Sequence, residues 1–104
     1  MWVFTNKAFL SIVADYDDPK RLLVRGRFPD DIKTVFPEAE VSETPEADYR
    51  FRAFLPRRIV AARLADVVND IDYPNFKGSV GQHWRHELYM KVWRILFSAQ
   101  NSGI

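Results

Sequence analysis

The sequence predicts an α+β fold: a four-stranded, mostly antiparallel sheet with three helices packed mainly on one face, in the order β-β-α-β-β-α-α. Three observations carry this expectation. Residues 8–15, 21–27 and 48–55 are short apolar or alternating runs bounded by Pro and Asp clusters, the pattern of strands separated by turns. Residues 56–71 and 82–99 instead repeat apolar side chains every three or four positions, the period of a helix. The chain has 104 residues, 47% of them apolar, which suits one core and a single domain over residues 1–104.

The elements follow in order. Residues 8–15 read as a strand rich in Ile, Val, Leu and Phe. Tyr16-Asp17-Asp18-Pro19-Lys20 is a turn, and residues 21–27 (RLLVRGR) return as the second strand of a hairpin. A short helix spans residues 30–36, with Pro29 at its entry, Asp30 and Asp31 in its electropositive first turn and Pro37 as its stop. Residues 39–44 form a weak strand. Pro45-Glu46-Ala47 turns the chain into a clear strand over residues 48–55 (DYRFRAFL), where arginines alternate with aromatic and small apolar residues. Pro56 opens a helix whose core stripe is Ile59, Val60, Leu64, Val67, Val68 and Ile71. Residues 73–81 are irregular, and a last helix covers residues 82–99.

Composition excludes several classes of function. With no cysteine there is no disulfide framework, thiol nucleophile or zinc ribbon. The net charge of +1 argues against a strongly basic nucleic-acid glove and against an acidic mimic. The apolar run over residues 8–14 is too short for a secretory core or a bilayer span, so a cytoplasmic protein with no membrane contact is expected. No cofactor and no metal are expected.

Two surfaces carry functional promise. Strand alternation places Leu23, Arg25 and Arg27, and Arg50, Arg52 and Phe54, on the face turned away from the helices if Val24, Gly26, Tyr49, Phe51, Ala53 and Leu55 face them. Arginine outnumbers lysine ten to five, which suits bidentate recognition of phosphate or carboxylate. Arg25, Arg27, Arg50 and Arg52 are therefore candidates for binding RNA, DNA or another anion. Residues 49–65 hold five arginines and no acid, whereas residues 38–48 hold five acids and no base. Cross-strand pairing of Glu40 and Glu43 with Arg50 and Arg52 would neutralise part of that face.

The other surface is the last helix. At 100° per residue its apolar side chains, from Trp84, Leu88, Val92 and Ile95 through Leu96, Tyr89 and Trp93 to Phe97 and Met90, cover more than half of the circumference. A surface helix ordinarily needs an apolar stripe a little wider than ~100°. Met90, Trp93 and Phe97, on the edge furthest from Trp84 and Ile95, are candidates for contact with a protein partner or a second copy of the chain.

Catalytic signals are thin. His83 and His86 stand three apart without a third ligand. Lys77-Gly78-Ser79 lacks the spacing of a phosphate-binding loop, and Asp15, Asp17 and Asp18 do not match a calcium loop. A small phosphate-handling enzyme would place its site at His83, Arg85 and His86 beside Tyr73, Asn75 and Lys77.

The segments FTNKAFLSIV (residues 4–13), ADYRFRA (47–53), IDYPNFK (71–77) and YMKVW (89–93) together resemble, in the same order, a set of small bacterial proteins with no assigned activity. The resemblance implies a stand-alone bacterial or phage-borne protein and carries no catalytic residues. The expectation is a non-catalytic cytoplasmic binding or regulatory module acting through protein contacts of its last helix, in the manner of a phage-borne inhibitor.

Overall fold

The computed structural model describes residues 1–103. The chain divides into two compact units, Met1–Asp72 and the segment from Tyr73 onward. The first holds β1 (Trp2–Phe4), β2 (Phe9–Ala14), β3 (Arg21–Gly26), α1 (Asp31–Val35), β4 (Ser42–Glu43), β5 (Phe51–Pro56) and α2 (Arg57–Asn69). The second holds α3 (Phe76–Ser79) and α4 (His83–Asn101). The α+β class and the antiparallel sheet are as expected, with one strand and one helix more.

The extra strand comes from a turn that composition did not advertise. The Thr5 hydroxyl oxygen accepts the backbone N–H groups of Lys7 and Ala8, and Thr5 N–H donates to the Ala8 carbonyl. This closes a tight hairpin that pairs Trp2 with Ser11 and Phe4 with Phe9. The extra helix is one turn inside the stretch expected to be irregular. Asn75 caps it by accepting the Gly78 N–H at 3.0 Å.

The sheet runs β1-β2-β3-β5-β4, with every pair antiparallel. The short β4 lies at the edge because its acidic, Pro-flanked sequence supports only two paired residues, Ser42 with Arg52 and Glu43 with Phe51. One face of the sheet contributes Leu10, Ile12, Val24 and Ala53 to the core, closed by Ile32, Val35 and Phe36 around α1 and by Val60 of α2. Gly26 lets α1 approach closely, since a Cβ there would stand 3.3 Å from Ile32 Cγ1. Asp31 is buried, and its Oδ2 accepts the Phe9 N–H at 2.9 Å, so this acid ties α1 to β2 as well as lying in the first turn. Arg63 Nε donates to the Val35 carbonyl and joins α2 to the end of α1.

The stripe expected on α2 is narrower than the sequence suggested. Val60, Leu64 and Val67 meet the core, whereas Ile59, Val68 and Ile71 are exposed. Ile59 and Val68 lie roughly 80–100° to either side of Val60 on a 3.6-residue helix. Ile71 would be in phase, but the helix ends at Asn69.

Candidate functional site

On the sheet face opposite α1 and α2, alternation places Arg25 and Leu23 from β3 beside Arg52 and Phe54 from β5, in the pairs Arg25–Arg52 and Leu23–Phe54. With Arg27, just beyond the end of β3, three guanidinium groups crowd one end of that face, and like charges directly opposite one another repel. The relief comes from the bend over residues 47–50, just before β5. Asp48 Oδ1 accepts Arg52 Nη2 at 3.1 Å, the Asp48 carbonyl accepts Arg27 Nη1 at 2.7 Å, and the Tyr49 carbonyl accepts Arg52 Nε at 3.2 Å. The Tyr49 ring lies under both Arg25 and Arg27, with guanidinium carbons 4.5 and 4.1 Å from its centroid.

Tyr49 does not belong to the helix-facing set, where strand alternation placed it. The strand begins two residues later, at Phe51, and the bend carries the ring to the arginine side. Tyr49 is almost fully buried there. Arg25 Nη2 also donates to Ser11 Oγ at 2.7 Å across the β2–β3 pair, while Arg25 Nε is buried and makes no hydrogen bond. Arg50, in the bend before β5, meets Glu43 of β4 at 3.0 Å, one of the pairings expected from the acidic segment, whereas Arg52 pairs with Asp48. All four candidate arginines thus contact groups of their own unit: two carboxylates, main-chain carbonyls, a hydroxyl and an aromatic ring. An anionic or stacking ligand would offer the same chemistry.

Two further cation groups lie near the β2–β3 turn. Arg21 Nε meets Asp15 Oδ2 at 2.6 Å, and its guanidinium stacks 4.2 Å from the Phe54 ring centre. The backbone N–H of Asp17 and the Arg21 guanidinium hold the Asp15 carboxyl below the usual carboxylate range. A cleft beside this turn is edged by Lys20, Arg21, Arg57 and Arg58, and Arg57 Nε already donates to the Pro19 carbonyl at 3.0 Å.

In the second unit, α3 packs on α4 through aromatic contacts. Phe76 stacks on Tyr89 with centroids 5.9 Å apart, and Tyr73 meets Phe76 edge-on. Arg85 is buried; its Nε donates to Gln82 Oε1 at 2.7 Å, its Nη1 to Tyr89 Oη, and its guanidinium lies over Trp84. Asn75 is a helix cap and Lys77 Nζ sits 4.4 Å from the Trp93 ring centre, so these two of the residues considered for phosphate chemistry have structural contacts. His86 Nδ1 lies 3.4 Å from Glu87 Oε1, and His83 is exposed. Among the described residues no three His, Asp or Glu side chains cluster as a metal site would need.

The C-terminal half of α4 is different. Trp93 and Phe97 stack nearly parallel, 4.9 Å apart, and remain 43% and 48% exposed. Met90 is half-buried one turn earlier. Ile95 and Leu96 are 68% and 65% exposed. Trp84 is also exposed and shares a separate face of the helix with Ile95. Among the described residues no helix is long and apolar enough to cross a membrane. Comparison with protein-family models, curated proteins and solved structures gives no match to this chain.

Proposed function

We propose that the chain is a small non-catalytic binding module of the cytoplasm that holds a protein partner through the C-terminal half of α4, with Met90, Trp93 and Phe97 as the contact. The observation that carries this reading is the set Trp93, Leu96 and Phe97, three large apolar side chains exposed within five residues on one side of the helix. Contiguous apolar surface of this kind marks interaction sites, and aromatic residues and Met are enriched at the centre of protein interfaces. A regulatory or inhibitory role, in a bacterial or phage setting, fits a module of this size whose exposed chemistry is adhesive.

Direct binding of RNA or DNA by Arg25, Arg27, Arg50 and Arg52 has less support. Those side chains hold groups of their own chain, and a nucleic acid would have to displace Asp48 and Tyr49 to reach three of them.

The test is site-specific photo-crosslinking in cells, with a benzophenone amino acid at position 97 or, as a control, at the equally exposed Phe54. The expected result is a protein adduct from position 97 and none from position 54. Adducts to nucleic acid, adducts only from position 54, or none at either position overturn the reading.

A further inference from the structure

The contact surface on α4 has a period of its own. His86, Met90, Trp93, Phe97 and Gln100 follow one another at steps of four, three, four and three residues. That is the spacing of a heptad seam, the stripe that lets two helices pack knobs into holes. The middle three are the apolar members, and the stacked Trp93–Phe97 pair lies at the centre of the exposed segment.

The positions flanking such a seam set partner choice and orientation. One flank of this seam carries Glu87 and Arg94 seven residues apart, followed by Asn101. Glu87 and Arg94 are both exposed. The opposite flank carries Tyr89, buried against Phe76, and the exposed Leu96. We propose, resting on the reading of α4 as the contact surface, that its occupant is the α4 of a second copy of this chain, packed antiparallel about a two-fold axis between Met90 and Trp93.

Charge selects that arrangement. In an antiparallel pair like flanks face each other, so Glu87 of each copy meets Arg94 of the other, giving two ion pairs by symmetry. Met90 then packs against Trp93 across the axis, and His86 against Phe97. A parallel pair brings unlike flanks together and sets Arg94 beside Tyr89 and Glu87 beside Gln82, with no charge partner. The antiparallel pair also aligns the two helix dipoles favourably. The single acid among the seam's flanking residues is therefore complemented by the single base one heptad away, which is what a self-complementary helix requires.

Sedimentation equilibrium of the purified full chain tests this with a charge-reversal cycle. The wild type is expected to dimerise, Glu87→Arg and Arg94→Glu each to raise the dimer Kd at least tenfold, and Glu87→Arg with Arg94→Glu together to bring it back near the wild-type value. Rescue requires the two positions to meet across the axis. Far-UV circular dichroism shows whether each variant keeps its helix, and Trp93→Gln, expected to abolish the dimer, provides a variant free of charge changes. A wild type that stays monomeric at 100 µM, or a double variant no better than the singles, overturns the proposal. If position 97 still captures a different protein by photo-crosslinking, the second copy is excluded as occupant while the binding reading stands; with no adduct at all, both fall.

Discussion

The bend at Asp48–Tyr49 and the end of α4 present similar chemistry to opposite effect. Both bring aromatic rings beside cations: Arg25 and Arg27 over Tyr49, and Lys77 over Trp93. At the bend the ring is almost fully buried, and the arginines are held by a carboxylate and main-chain carbonyls of the same segment. At α4 the rings stay close to half exposed, and the charged residues Glu87 and Arg94 on the same helix are exposed. A cluster of arginines is thus a poor guide to binding when the chain supplies its own acceptors. The reading proposed for α4 rests instead on apolar side chains in excess of what that helix buries.

Replacing the buried aromatic should do most to separate the two regions. Tyr49→Ala is expected to lose about 3 kcal/mol of stability by chemical denaturation, as for other buried aromatics truncated to Ala. A loss below about 1 kcal/mol would return the arginine face to the list of binding surfaces. Arg25→Ala should lose about 2 kcal/mol, because it strips the ring of one cation and leaves the buried Ser11 hydroxyl without its donor. A stable Arg25→Ala protein with weakened affinity for an oligonucleotide would break the contrast from the same side.

On α4 the expected stability effect is smaller. At protein concentrations where the wild type is monomeric, Trp93→Gln and Phe97→Gln should each shift unfolding by less than about 0.5 kcal/mol, the range of exposed sites, while removing association at higher concentration. A loss of several kcal/mol would make these rings structural and erase the difference between the regions.

The smallest effect is the one that acid removes. The Asp15 carboxyl is held below the usual range first by the Asp17 N–H and then by Arg21. A carboxylate with a depressed folded pKa stabilises the fold above its unfolded value of ~3.9, and that contribution disappears as pH falls through the lower folded value. Asp15→Asn should therefore be less stable than wild type at neutral pH, with the gap closing in strong acid. An unchanged gap across that range would remove Asp15 from the titrating groups.

Much of the fold was legible because strands and helices are written in local periods. The alternation along β3 and β5, the β2–β3 hairpin and the stripe Val60, Leu64 and Val67 all follow from side-chain spacing. The Thr5 turn was not legible, since its closure depends on one hydroxyl finding two N–H groups. Of the arginine face, the direction of Arg25 and Arg52 was readable and the role of Tyr49 was not. Its only cue was the turn-forming Pro45 and Asp48 upstream, a sign that the strand begins later than its aromatic pattern suggests.

By itself the sequence determined the α+β class, the antiparallel pairing and the apolar excess of the last helix, because each depends on the order of neighbouring side chains. Tertiary structure alone decided which cations are satisfied and which aromatic rings stay in water. Burial and hydrogen bonding are properties of groups brought together from distant points of the chain: Arg27 reaches a carbonyl 21 residues away, and no local pattern records that.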